Sequence, residues 1–360
     1  MLVQKIHWVN SILLRGKVEN LGETHSVSLY EIAGLEMDRL IEIYLDMADR
    51  TSGFSVPSVD VLQTEAQRRI VLGGLGSSMA ETESAEKVFD EWSRMQAVPF
   101  SAEEAVSRGV YVALDEAVAH LIDSLSRETK EFTEFDPDFI ASNPQFLPIF
   151  QRLLNVASKA KLKELVGSVS DKSISKPAAR RIVEQLSIRA GTVRPTTAQL
   201  QASMAPTLEG IVRDLVGRVL LENIVASALD GAGVAYQREN EYAGIEGVVY
   251  KFRADFVIPN SEAPLVFIEV RKSSSRHASL YAKDKMFSAI NWKGYNQRMM
   301  AVLITEGPWT AQTLQVMAKV FDYIIPLNRA NEVAEVIAKY VAGDRTQLRT
   351  LINFSILPAN

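Results

Sequence analysis

The chain has no cysteine among its 360 residues. That excludes a disulfide framework and any thiolate metal site. It has only four histidines. No segment approaches the roughly twenty consecutive apolar residues that a spanning helix needs, so no membrane partner is expected. The opening residues, Met1 to His7, lack the apolar core of a secretory signal, which leads to the expectation of a cytoplasmic protein. No Gly-x-x-x-x-Gly-Lys-Ser/Thr phosphate loop is present, and no nucleophile elbow suggests serine hydrolysis. The Gly231-Ala232-Gly233 run precedes an expected strand instead of opening a helix, so it lacks the dinucleotide-binding context.

Net positive charge is also missing. The formal charge is -5, which taken whole argues against a polyanionic partner. The charge is segregated, however. Residues 1–170 carry 16 basic and 26 acidic side chains, a net of -10. Residues 171–300 carry 18 and 13, a net of +5, and residues 301–360 carry 5 of each. One part of the chain is therefore suited to meet phosphate while another keeps it soluble.

The first 170 residues read as mostly helical. Leu29, Ile32, Leu35, Leu40, Ile41 and Leu45 recur at helical spacing, and Val110–Leu125 and Phe146–Val166 make two further amphipathic stretches. Acidic residues and histidines are scattered here without metal-ligand spacing. This segment, 1–170, is expected to be a helical domain for recognition or dimerisation. Residues 171–206 form a basic linker in which Pro177 opens a short helix over Ala178–Leu186. Arg180 and Arg181 on that helix are candidates for tracking a DNA backbone, and a solvated hinge is the alternative reading.

Residues 207–328 change character. A helix is expected from Thr207 to Asp230, with Pro206 before it and Gly231 ending it. Strands follow at Val234–Gln237, Val248–Ile258 and Leu265–Arg271. Then come a helix over Ser279–Lys293, a strand at Met300–Thr305, a helix over Pro308–Phe321 and a strand at Tyr323–Pro326. A helix and tail over 329–360 complete the chain, the tail docking back on the fold. Acidic residues are depleted inside strands, so Asp255 and Glu269 need a reason. A hairpin centred on Glu262 sets them opposite each other, with Cβ atoms about 5 Å apart. Two carboxylates that close repel unless a cation or proton joins them. Alternation puts Val266, Ile268 and Val270 on a core face, and Phe267, Glu269 and Arg271 on a charged face. A salt-bridged surface hairpin satisfies the same pattern.

The element order, with Asp255, the run Glu269-Val270-Arg271 and Glu222 on the preceding helix, resembles the PD-(D/E)XK nuclease superfamily. The resemblance covers about 125 residues and rests on element order more than on letters. It implies an α/β fold: a restriction-endonuclease-like core, with a mixed sheet flanked by helices, behind the large N-terminal helical domain. It implies Asp255 and Glu269 as Mg²⁺ ligands, Glu222 as a supporting acid, and Arg271 at the position usually held by lysine. Arginine is always charged and cannot act as a base, so Lys272, Lys283 and Lys285 are candidates for the missing ammonium. Alternation turns Lys272 to the other face unless a bulge re-aims it. Arg276, His277, Lys283 and Lys285 lie in a polar segment after the third strand and are candidates for gripping DNA near the scissile bond. Trp292, Lys293 and Arg298 continue it, Trp292 reading as packing.

The expected activity is Mg²⁺-dependent hydrolysis of double-stranded DNA, as in a site-specific type II restriction endonuclease acting as a homodimer. A repair or phage-defence nuclease of the same fold, and a catalytically inactive DNA-binding module, are the alternatives.

Overall fold

The structure is a computed structural model that describes residues 27–189, 195–273 and 278–357. It is a mixed helix and sheet protein with a large N-terminal helical region and one five-stranded mixed sheet. The helices are α1 (Leu29–Arg50), α2 (Glu65–Gly74), α3 (Ala85–Arg94), α4 (Ala102–Glu128), α5 (Pro137–Ser142), α6 (Leu147–Leu153), α7 (Lys159–Val166), α8 (Lys176–Arg189), α9 (Thr197–Gly231), α10 (Ala278–Tyr295), α11 (Ala311–Met317) and α12 (Ala330–Val341). A two-residue hairpin pairs β1 (Val169–Ser170) with β2 (Ser173–Ile174).

Helix starts follow local chemistry. Thr64 and Gln67 form a reciprocal capping box at α2, and Ser84 and Ser158 cap α3 and α7 through their hydroxyls. The stretch expected as one helix over Phe146–Val166 is two. Asn155 takes a positive φ of 50°, and Ser158 then caps a new start. Likewise α9 begins ten residues before the expected Thr207 and runs through Pro206. Thr196 and Gln199 bond each other's backbone N–H at 3.2 and 2.9 Å, so the helix nucleates there. The cost of one interior proline, which removes one hydrogen bond, is absorbed by a long helix.

The chain divides into two compact units that cut across the boundaries expected from sequence. One comprises the segment ending at Asp38 and Ser107–Arg218. The other combines Arg39–Val106 with the chain from Val219 onward. Residues 39–106, expected with the N-terminal helical part, thus belong with the sheet. Composition gives no warning of this, because the segment is helical in both settings.

In the sheet-bearing unit the order is β3-β4-β5-β6-β7: β3 (Gln237–Arg238), β4 (Phe256–Ile258), β5 (Val266–Lys272), β6 (Met300–Glu306) and β7 (Tyr323–Pro326). The first three strands pair antiparallel, and β5, β6 and β7 pair parallel. Parallel strands need helical crossovers that cover the sheet; α10 and α11 connect them.

That covering decides between two readings of the hairpin. The face with Phe267 and Glu269 is not the salt-bridged surface that the alternation also allowed, since both residues are buried. Phe267 joins Val257, Ala282, Ala289, Trp292 and Leu303 in one buried cluster, its ring 4.7 Å from that of Trp292. Val266, Ile268 and Val270 on the other face are buried as well. Lys293, read as polar surface, is fully buried with Asp322 at 2.6 Å. The expected strand over Val248–Ile258 is also shorter. Only Phe256–Ile258 is strand, because the backbone of the preceding loop is satisfied by a side chain. Asn291 Oδ1 accepts from Val249 and Tyr250 at 2.7 and 3.3 Å, and its Nδ2 donates to the Tyr250 carbonyl at 2.9 Å. Gly247 allows this approach: a Cβ there would fall 1.9 Å from Asn291 Nδ2.

The tail docks on the sheet-bearing unit. Asp322 Oδ1 accepts from the backbone of Arg349 and Thr350 at 2.9 and 2.7 Å.

Candidate active site

The site forms where β4 enters the sheet beside the end of β5. Cα pairing matches Phe256 to Ile268, Val257 to Phe267 and Ile258 to Val266, a register centred on Glu262 that sets Asp255 opposite Glu269. The turn between the strands is tied by Asn260 Oδ1, which accepts from Glu262 and Ala263 at 3.1 and 3.0 Å.

Asp255 is fixed from two sides. Its Oδ2 accepts the backbone N–H of Val270 at 2.6 Å. The preceding residue, Ala254, is clamped by Tyr242, whose hydroxyl donates to the Ala254 carbonyl at 2.8 Å and accepts from its N–H at 2.7 Å. Both carboxylates lie inside the protein, Asp255 at 6% and Glu269 at 0% exposure. Burial, followed by the Asp255 charge, pushes Glu269 up from 4.5 to about 7, against the opposing pull of Arg271 and Lys285.

Arg271 bridges the pair. Its guanidinium donates to Asp255 Oδ2 at 2.7 Å, to Glu269 Oε2 at 2.6 Å and to the Val270 carbonyl at 2.6 Å. Burial disfavours its charge, but Glu269 and then Asp255 outweigh that and hold its pKa above the usual value. Lys285, from α10, puts its Nζ 3.0 Å from Glu269 Oε2 and is itself buried. Glu222 on α9 is half-buried; burial and then the charge of Asp255 raise its pKa, with Arg271 acting in the other direction.

The chain matches no family model, no curated protein and no solved structure.

The structure brings Asp255, Glu269, Arg271 and Lys285 together, with Glu222 in electrostatic range. It does not bring Lys272 there. Lys272 pairs with Glu103 at the start of α4, as strict alternation along β5 requires. Lys283 is exposed on α10, two residues from Lys285 and so on a different side of the helix. Arg180 and Arg181 are exposed on α8, in the other compact unit. Arg276 and His277 lie outside the described residues. Tyr242 and Asn291 escaped sequence reasoning. Each acts on backbone groups of a distant segment and leaves no local pattern.

Among the described residues, no group of three or more His, Cys, Asp or Glu side chains gathers to hold a metal. The oxygens that converge on Arg271 nevertheless suit a hard divalent cation. Mg²⁺ takes oxygen ligands and needs only one or two protein carboxylates beside its waters. Glu269 Oε1 is buried with no hydrogen-bond partner, so this carboxylate has an unfilled acceptor position. The residues that would hold such an ion are Asp255 and Glu269.

Proposed function

We propose that the chain is a Mg²⁺-dependent endonuclease acting on double-stranded DNA. The observation that carries the reading is a pair of enclosed carboxylates, Asp255 just before β4 and Glu269 on β5, with a lysine and an arginine bonded to the same Glu269 oxygen. The element order from α9 to β7 is the order that the PD-(D/E)XK resemblance implies, and positive charge is concentrated in residues 171–300. A type II restriction endonuclease acting as a homodimer is the form this reading takes, because two sites are needed to cut two strands.

Each residue has a distinct task. Asp255 is held rigidly by the Val270 N–H and by the Tyr242 clamp on Ala254, so its free oxygen has a fixed direction. Glu269 faces it from β5. A divalent ion bound between them would supply an activated water and neutralise charge at the leaving oxygen. Lys285 fills the role that Arg271 cannot, since a lysine ammonium can give up a proton and a guanidinium cannot. Arg271 contributes charge to the phosphate. Glu222 adds a third negative charge at the edge.

The test is a Mg²⁺ titration on plasmid DNA. Discrete fragments indicate a site-specific enzyme, and a smear indicates a repair or defence nuclease without sequence preference. A second reading, a DNA-binding module without catalysis, is favoured by one observation: Arg271 already neutralises both carboxylates. Retained binding with no cleavage at any Mg²⁺ concentration would select it.

A further inference from the structure

Arg271 stands in the place of a cation. Its guanidinium meets three oxygens, Asp255 Oδ2, Glu269 Oε2 and the Val270 carbonyl, at 2.6 to 2.7 Å. Two carboxylates and a carbonyl are also what a hard metal ion would take. The match is incomplete, because Glu269 Oε1 is buried with no partner. A planar fork satisfies one oxygen of this carboxylate and leaves the other bare.

The three side chains differ in their access to solvent. Those of Asp255 and Glu269 are 7% and 0% exposed, whereas that of Arg271 is 26% exposed. Arg271 is therefore the member with a path out. Lys285, 9% exposed, keeps a positive charge on Glu269 when Arg271 leaves. The departing guanidinium needs an acceptor as good as the carboxylates, and a phosphate offers the same bidentate match.

We propose that Arg271 is an exchangeable occupant of the cation position. Without DNA it holds Asp255 and Glu269 together and keeps divalent ions out. On DNA binding it moves to a backbone phosphate and opens the position. This deepens, and rests on, the reading of the site as a metal-dependent nuclease. DNA and metal then bind with positive coupling, each raising the affinity for the other. With the open arrangement populated at about a tenth or less, apparent metal affinity is weakened at least about tenfold.

The experiment measures Mn²⁺ binding to the full chain by the electron paramagnetic resonance signal of free Mn²⁺. It compares wild type, Arg271→Ala and the Arg271→Ala/Glu269→Gln double variant, each with and without a short DNA duplex. Mn²⁺ bound by the duplex alone is subtracted. The expected result is that Arg271→Ala binds Mn²⁺ at least about tenfold more tightly than wild type, and that Glu269→Gln removes the gain. The duplex tightens Mn²⁺ binding in wild type and not in Arg271→Ala. Equal Mn²⁺ affinity in wild type and Arg271→Ala overturns the exchange. If Arg271→Ala does not fold, wild type decides alone: Mn²⁺ affinity unchanged by duplex overturns it. The nuclease reading fails separately, in the plasmid assay. Tighter Mn²⁺ binding by Arg271→Ala and duplex-tightened wild type, with no cleavage by wild type, supports the exchange and removes the nuclease.

Discussion

Lys285 on α10 reaches across to Glu269 on β5, its Nζ 3.0 Å from Oε2, inside a nearly closed part of the protein. The neighbouring candidate, Lys272, is turned away to Glu103. Methionine substitutions separate the two. Lys285→Met is expected to lower the cleavage rate by about a hundredfold or more, the scale of a lost proton-transfer group. Lys272→Met is expected to stay close to wild type. Initial rates at saturating Mg²⁺ decide, and equal losses in both variants would remove the special role of Lys285.

Arg271→Lys is expected to change the cleavage rate more than DNA affinity. Lysine keeps the positive charge but loses the planar fork that spans Asp255 and Glu269. Single-turnover cleavage and a gel-shift titration on the same duplex measure the two quantities. An unchanged rate would show that Lys285 alone carries the basic role.

Stability should depend on pH through Glu269. Its pKa is 4.5 ordinarily and about 7 when buried here. A carboxyl raised on folding binds its proton more tightly in the folded state. The contribution is complete below about 4.5 and is lost as pH rises toward 7. The loss amounts to about 3 kcal/mol at most. Urea unfolding in EDTA at both ends of this window, for wild type and Glu269→Gln, measures it. The variant should show the smaller drop, and parallel pH dependences would contradict the assignment.

The buried pair of Lys293 and Asp322 is a structural anchor. Asp322 Oδ2 also accepts from Ala301 N–H at 2.7 Å, and its Oδ1 ties down the tail at Arg349 and Thr350. Asp322→Ala leaves a buried ammonium without its carboxylate, and about 3–5 kcal/mol of stability should be lost. Denaturant unfolding checks the size, and a loss below about 1 kcal/mol would mean that the pair behaves like a surface one.

The parts of this site that were readable in the sequence were local. Asp255 faces Glu269 because a short turn around Glu262 fixes the register, and strand periodicity does the rest. The order of helices and strands from α9 to β7 was readable for the same reason. What could not be read depends on how elements pack. Lys285 and Lys283 look equivalent in a basic segment, and only the rotation of α10 over β5 points one at Glu269. Lys293 resembles a surface residue until Asp322, 29 positions on, is brought beside it. The burial of the charged face of β5 could not be read either, because alternation marks sides of a strand without showing what covers them. Pro206 read as a helix boundary because the capping pair that starts α9 lies ten residues earlier, at Thr196 and Gln199.

The central claim is that Asp255 and Glu269 form the working site of a Mg²⁺-dependent nuclease. The most direct measurement is plasmid cleavage by wild type and Asp255→Ala across a Mg²⁺ titration, with DNA binding by each followed in parallel. The account predicts Mg²⁺-dependent cleavage by wild type, none by Asp255→Ala, and measurable DNA binding by both. Full cleavage by Asp255→Ala would contradict it.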